Sequence, residues 1–185
     1  MDFTLYYRGE LKSNGSPTDK HKIRRRIHAQ LKDLWRHLPL SNFTRLLAPP
    51  EEYGEGSLIR RKHGFNFAPL VAEYNGHVAE LSIHLLWPAS PGAIITSGGD
   101  LDNRVKTLLD ALKIPTELTA LPPGTVPESG EDPFFCLLED DSLVTRLTVE
   151  ADRLLEPVVS TSEVVLTIRV RTKALKALIA TSGMT

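Results

Sequence analysis

Cysteine is almost absent from this chain. Cys136 stands alone, so no internal disulfide can form, and the usage fits a reducing compartment. Long apolar runs are missing too, and none approaches the ~20 residues that a membrane-spanning helix needs. Neither sign of charge dominates: 22 Lys+Arg against 23 Asp+Glu leave a net charge of −1. A polyanionic partner must therefore be held by a local patch rather than by global attraction. Met1-Asp2-Phe3-Thr4 lacks a basic region followed by an apolar core, so the expectation is a cytoplasmic protein with no export signal and no membrane partner. The six histidines, at 21, 28, 37, 63, 77 and 84, have no zinc-like spacing. Gly98-Gly99-Asp100 lacks the Lys-Ser/Thr ending of a phosphate-binding loop. What remains is 185 residues, 41% of them apolar, enough for one compact domain.

Phe3 to Tyr7 is rich in β-formers and reads as a first strand. Ser16-Pro17-Thr18-Asp19 carries a helix-start signature: a capping Ser, Pro in the first turn and an acid three residues on. Ile23, Ile27, Leu31, Leu34 and Leu38 then recur at helical spacing, predicting an amphipathic helix over about 18–38. Residues 39–76 read as irregular, punctuated by Pro49-Pro50, Gly54, Gly56 and Gly64. Leu81, Ile83 and Leu85 alternate with Ser82 and His84, a half-buried strand. Leu101, Val105, Leu108 and Leu112 predict a second helix over about 101–113. Five of the 13 prolines fall between Pro115 and Pro133, which reads as a long ordered loop that shapes access to a site. Strand character returns over Phe134–Val149 and again over Val164–Val170, and Lys173–Ala180 reads as a short helix.

The chemistry-bearing segment is Gly98-Gly99-Asp100-Leu101-Asp102-Asn103-Arg104-Val105-Lys106. Two carboxylates two residues apart, at a loop-to-helix junction, can converge on a hard divalent cation such as Mg²⁺. An isolated Asp-x-Asp is more often a helix cap, with Asp100 or Asp102 at the N-cap and Asp102 paired to Lys106 one turn on. Glu139-Asp140-Asp141 forms a second acidic cluster at the start of a strand-like run. Such a run is normally a solvated turn. If Asp100, Asp102 and Asp141 share a site, however, a bound cation relieves their mutual repulsion. Asn103 could then orient a ligand.

The run Asp100-Leu101-Asp102-Asn103-Arg104-Val105-Lys106, followed by Leu109-Asp110-Ala111-Leu112 and later by Asp140-Asp141-Ser142-Leu143-Val144, resembles the RusA-type Holliday-junction resolvases. The likeness covers about residues 79–112 and 137–170. It implies an α+β domain, a small mixed sheet packed with two main helices, acting as a homodimer on branched DNA with Mg²⁺ or Mn²⁺. By the same resemblance Asp100, Asp102 and Asp141 match metal-binding carboxylates and Lys106 matches a catalytic lysine. Asn103 and Asp140 fall beside them as orienting residues. Segments 39–76 and 113–133 look like insertions against that pattern, and Trp87 to Gly99 contains no Lys or Arg.

Duplex contacts are expected from Lys22, Arg25, Arg26, Lys32 and Arg36 on the first helix, helped by Arg60, Arg61 and Lys62. From Lys20 to Arg36 seven basic residues face one acid, Asp33. A rival outside enzymology is a nucleic-acid-binding or scaffold protein that keeps the fold without cutting. A metal-dependent glycosyltransferase using Asp-x-Asp fits less well, because it leaves Lys106 and Asp141 unexplained.

Overall fold

The computed structural model describes residues 1–88, 100–175 and 183–184, without the side chain of Asp100. The fold is α+β. Its elements are β1 (Asp2–Glu10), α1 (Pro17–Leu34), α2 (Pro50–Tyr53), β2 (Arg60–Lys62), β3 (Phe65–Val71), β4 (His77–Trp87), α3 (Asp100–Leu112), β5 (Phe134–Leu138), β6 (Val144–Arg153) and β7 (Glu163–Ala174). Among the described residues no helix is long and apolar enough to cross a membrane.

The larger sheet has the order β1-β7-β4-β6. β1 and β4 flank β7 antiparallel, while β6 runs parallel to β4 as an edge strand. Alternation in the sequence gives the sheet one dry face. Leu81, Ile83 and Leu85 of β4 and Leu166, Ile168 and Val170 of β7 are buried. They join one core with Ile23, Ile27 and Leu31 of α1 and Leu108, Ala111 and Leu112 of α3. Both helices follow the spacing read from the sequence, each laying an apolar stripe on the sheet. The opposite sheet face is open.

Ser16 caps α1 as its sequence predicts: its hydroxyl accepts from the Asp19 amide, and the Asp19 carboxylate accepts from the Ser16 amide. The helix ends at Leu34 rather than near 38. Pro39 disfavours helical geometry at the residue before it, and Leu38 is left 74% exposed.

A smaller sheet, β2-β3-β5, holds the second cluster, Phe65, Phe67, Ile114, Leu121, Phe134 and Cys136. Segment 39–76, expected to be irregular, supplies two of its strands. β3 is an unbroken apolar run apart from Asn66, so it lacks the period-2 signal, and Pro69 speaks against a strand. The proline is tolerated because β2 pairs only with Phe65–Phe67, leaving β3 without a second neighbour at Pro69.

The strand expected over 134–149 is two strands in different sheets. The chain leaves the smaller sheet at Leu138, turns through Asp141–Leu143 and enters the larger one at Val144. Lys173 and Ala174 continue β7 instead of starting a helix, and the rest of that expected helix lies outside the described residues.

Candidate functional site

α3 opens at Asp100, whose side chain lies outside the described residues, as does the glycine-containing segment 89–99. Asp102 and Lys106 are both exposed on the first turns of α3, and Asn103 is half-buried. The i,i+4 ion pair that a purely structural role predicts is not formed. Among the described residues neither Asp102 nor Lys106 has a salt-bridge partner. Other aspartates of the helices do pair with lysine: Asp110 with Lys20 at 2.7 Å and Asp19 with Lys12 at 3.0 Å.

Two contacts fix this end of α3. Arg104 is buried, donates to the Leu11 carbonyl and lies 4.1 Å over the Trp87 ring at the end of β4. Gly15 donates its amide to the Thr107 hydroxyl at 2.9 Å, tying the turn before α1 to α3. Trp87 is itself buried and donates to the Thr161 carbonyl, so it packs the core rather than offering a stacking surface.

The acidic run before β6 sits at the other end of the helix. Its three members have separate partners. Glu139 accepts from Arg60 at 2.8 Å and from the Glu73 amide. Asp140 caps the turn by accepting from the Ser142 amide, and hydrogen bonds from Ser142 hold its carboxyl below the usual range. Asp141 lies 2.8 Å from the ammonium of Lys113, just past the C-terminus of α3. Lys113 follows Asp102 by eleven residues, about 16 Å along a helix axis. The sheet separates them in the same sense: Val144, after the acidic run, pairs with Ala79, whereas Arg104 packs on Trp87, about 26 Å further along β4. Within one chain Asp141 is thus brought to Lys113, at the end of α3 remote from Asp102. Among the described residues, no three His, Cys, Asp or Glu side chains gather into a group that could hold a metal ion.

The proposed duplex-contacting residues divide into free and engaged cations. Arg25 pairs with Glu128 at 2.6 Å and Glu131 at 2.9 Å, and Lys32 donates to the Gly130 carbonyl at 2.6 Å. The proline-rich loop is therefore a strap across α1. Arg60 is held by Glu139, Arg61 by Glu51, and Arg36 lies 3.5 Å from Asp33. Lys22, Arg26 and Lys62 are exposed without an ion pair among the described residues. Lys22 and Arg26 line a groove of about 560 Å³ between α1 and β1.

Arg24, counted among the basic residues of α1 by sequence, is buried on the inner face and donates to the Asp110 carbonyl at 2.9 Å. Cys136 is buried, which pushes its thiol pKa up and rules out a reactive thiolate. His84 is a surface residue 3.1 Å from Asp152.

Sequence reading passed over a third basic cluster. Arg146, Arg169 and Arg171 come from β6 and β7 and meet on the open sheet face. The strand alternation that put Ile168 and Val170 in the core also put Arg169 and Arg171 together outside, so the signal was present in the pattern.

No family model, curated protein or solved structure matches this chain.

Proposed function

We propose that the protein is a divalent-metal-dependent endonuclease that cuts branched or structured DNA as a homodimer. The observation that carries this reading is the exposed pair of Asp102 and Lys106 on one face of the start of α3, without an ion pair among the described residues and two and six residues after Asp100. Unneutralised carboxylate and ammonium groups one turn apart fit a site that takes a cation and a phosphate better than they fit a helix cap. Lys106 offsets charge on the phosphoryl oxygens, and Asn103 orients a carboxylate. A bound Mg²⁺ or Mn²⁺ supplies an activated water and polarises the phosphoryl group.

One chain does not bring Asp141 to that end, so the third carboxylate is assigned to a second subunit. The support is topological. β6 is a ten-residue edge strand. Its inward row is only half covered, with Leu147 40% exposed beside fully buried Leu81. Such an edge invites pairing. Antiparallel pairing of two β6 strands about a two-fold axis aligns the start of one with the end of the other. Asp141 of the partner subunit then lies at the Trp87–Arg153 end, where Asp102 stands.

The decisive experiment mixes two inactive chains, Asp102→Asn and Asp141→Asn, and follows nicking of labelled four-way, flap and linear DNA with Mg²⁺ or Mn²⁺. In a shared site the mixed dimer keeps one intact centre and nicking returns. If wild type cuts but the mixture does not, the site lies within one chain. If wild type cuts none of these substrates, the endonuclease reading fails. The second reading, a DNA-binding scaffold on the same fold, is then preferred; the engagement of Asp141 by Lys113 already favours it.

A further inference from the structure

We infer that the open face of the larger sheet is a binding surface for single-stranded DNA, with a phosphate seat formed by Arg146 and Arg169. The inference rests on the DNA substrate proposed above but not on the metal site. It starts from strand register. Across one rung Thr4, Arg169 and Ser82 are neighbours, and Ser82 in turn faces Thr148. On the next rung come Asp2, Arg171, Glu80 and Arg146. Arg146, Arg169 and Arg171 with Glu80 and Ser82 enclose a hollow of about 130 Å³.

The counter-charge in this region is already divided. Glu80 is bonded by Lys173, which holds its carboxyl below the usual range, and it lies 4.0 Å from Arg171. Arg171 also takes Asp2 at 3.1 Å. Arg146 and Arg169 are exposed and form no ion pair among the described residues. Two guanidinium groups thus converge over a floor of hydroxyls with excess positive charge. That arrangement suits a phosphate, which accepts from both forks at once.

Single-stranded rather than duplex DNA follows from what adjoins the seat. The face is a sheet surface open to solvent, not a groove or a protruding helix. On the rung beyond Thr4 stands Tyr6, 49% exposed and opposite Thr167. A ring one rung from a cationic seat offers a stacking platform for an unpaired base while Arg169 holds its phosphate. In a duplex the bases are stacked on one another, so the ring has nothing to take up.

The test is fluorescence anisotropy of a labelled oligothymidine, in EDTA so that nothing is cut, with the full chain. The double variant Arg146→Gln/Arg169→Gln is expected to bind at least ten-fold more weakly, with a salt slope shallower by about 1.4, as for the loss of two single-strand phosphate contacts. Tyr6→Ala is expected to weaken the oligothymidine several-fold and a duplex of equal length not at all. All these side chains are exposed, so unchanged thermal unfolding checks the fold, and Arg169→Lys, which keeps the charge but loses the fork, should bind more weakly than the wild type and more tightly than the double variant. Unchanged oligothymidine affinity in the double variant overturns the inference. Equal losses on the duplex overturn the single-strand assignment, and so does arginine-dependent binding to phosphatidylserine vesicles without oligothymidine binding. Cleavage without this binding sinks the inference alone; this binding without cleavage sinks the endonuclease alone.

Discussion

Lys113 and Asp141 form an ion pair of 2.8 Å that bridges the C-terminal end of α3 to the turn before β6. The ammonium is mostly buried and the carboxylate 42% exposed. Asp141 is therefore held by a cation of its own chain. Any metal that recruits it must compete with Lys113. Lys113→Gln is expected to lower the Mg²⁺ concentration for half-maximal cleavage several-fold, while stability falls by no more than about 1 kcal/mol for a partly exposed pair. A metal titration of cleavage checks this; an unchanged or higher requirement refutes any metal role for Asp141.

Asp102→Asn is expected to abolish cleavage and leave the fold untouched. The side chain is exposed and engages nothing among the described residues, so the change in stability should stay within about 0.5 kcal/mol. Parallel cleavage assays and thermal melts measure both. A fully active variant removes Asp102 from the chemistry.

Leu147→Lys addresses the β6 edge. The substitution places a charge on the half-covered apolar row beside Leu81. Sedimentation should show a dimer for the wild type and a monomer for the variant, with cleavage lost in step. A variant that remains dimeric puts the interface elsewhere.

Acid should weaken the protein before its carboxylates titrate. Burial pushes the His21 pKa down from 6.5 to about 4, and burial lowers that of His28 as well. Between pH 6.5 and 4 the unfolded chain binds more protons than the native one, so stability rises with pH across that window and is complete above it. His21 alone accounts for up to about 3 kcal/mol. Urea midpoints at pH 7.5 and pH 4.5 should differ accordingly, and His21→Gln should flatten the difference. Equal midpoints in the wild type contradict the buried neutral state. The capped carboxylates Asp19 and Asp140, with pKa values held low by bonds from Ser16 and Ser142, act only below about pH 4.

The α1 cap gives a plain stability test. Ser16→Ala removes one half of the reciprocal Ser16–Asp19 bonding and should cost about 1 kcal/mol. A fall of about 2–4 °C in Tm is expected for a chain of this size. No shift would mean that Pro17 and the Gly15–Thr107 contact set the helix start without it.

Much of the fold was legible in the chain itself. Ser16, the Ile23–Ile27–Leu31 stripe and the Val164–Val170 alternation each carry a local period, and each formed the element it predicts. β3 was not legible, because a strand buried on both faces has no alternation to read and Pro69 hides it. The division of 134–149 between two sheets was not legible either, since both halves are strand-like and only tertiary pairing separates them. For the candidate site, the exposure of Asp102 and Lys106 at the start of a helix could be read from the spacing of its apolar residues, but their distance from Asp141 could not. Asp141 comes 29 residues after the end of α3, and the return through β5, whose Leu138 bridges to Lys113, delivers it to the end of the helix opposite Asp102. Engagement of Arg25, Lys32 and Arg60 by Glu128, Glu131, Gly130 and Glu139 likewise depends on contacts far apart in sequence.

The close approach of Gly15 to Thr107 reaches beyond packing. A Cβ at position 15 would come within 2.7 Å of the Thr107 methyl, so the turn and the helix sit flush. Thr107 immediately follows Lys106, and Gly15 immediately precedes the cap of α1. The two helices consequently behave as the fixed jaws of a caliper, with Lys22 and Arg26 on one jaw and Asp102 on the other. Under the proposed endonuclease function, DNA bound at the first jaw would reach the second at one constant length, and incisions are then expected at a set offset from the bound position and not scattered along the strand.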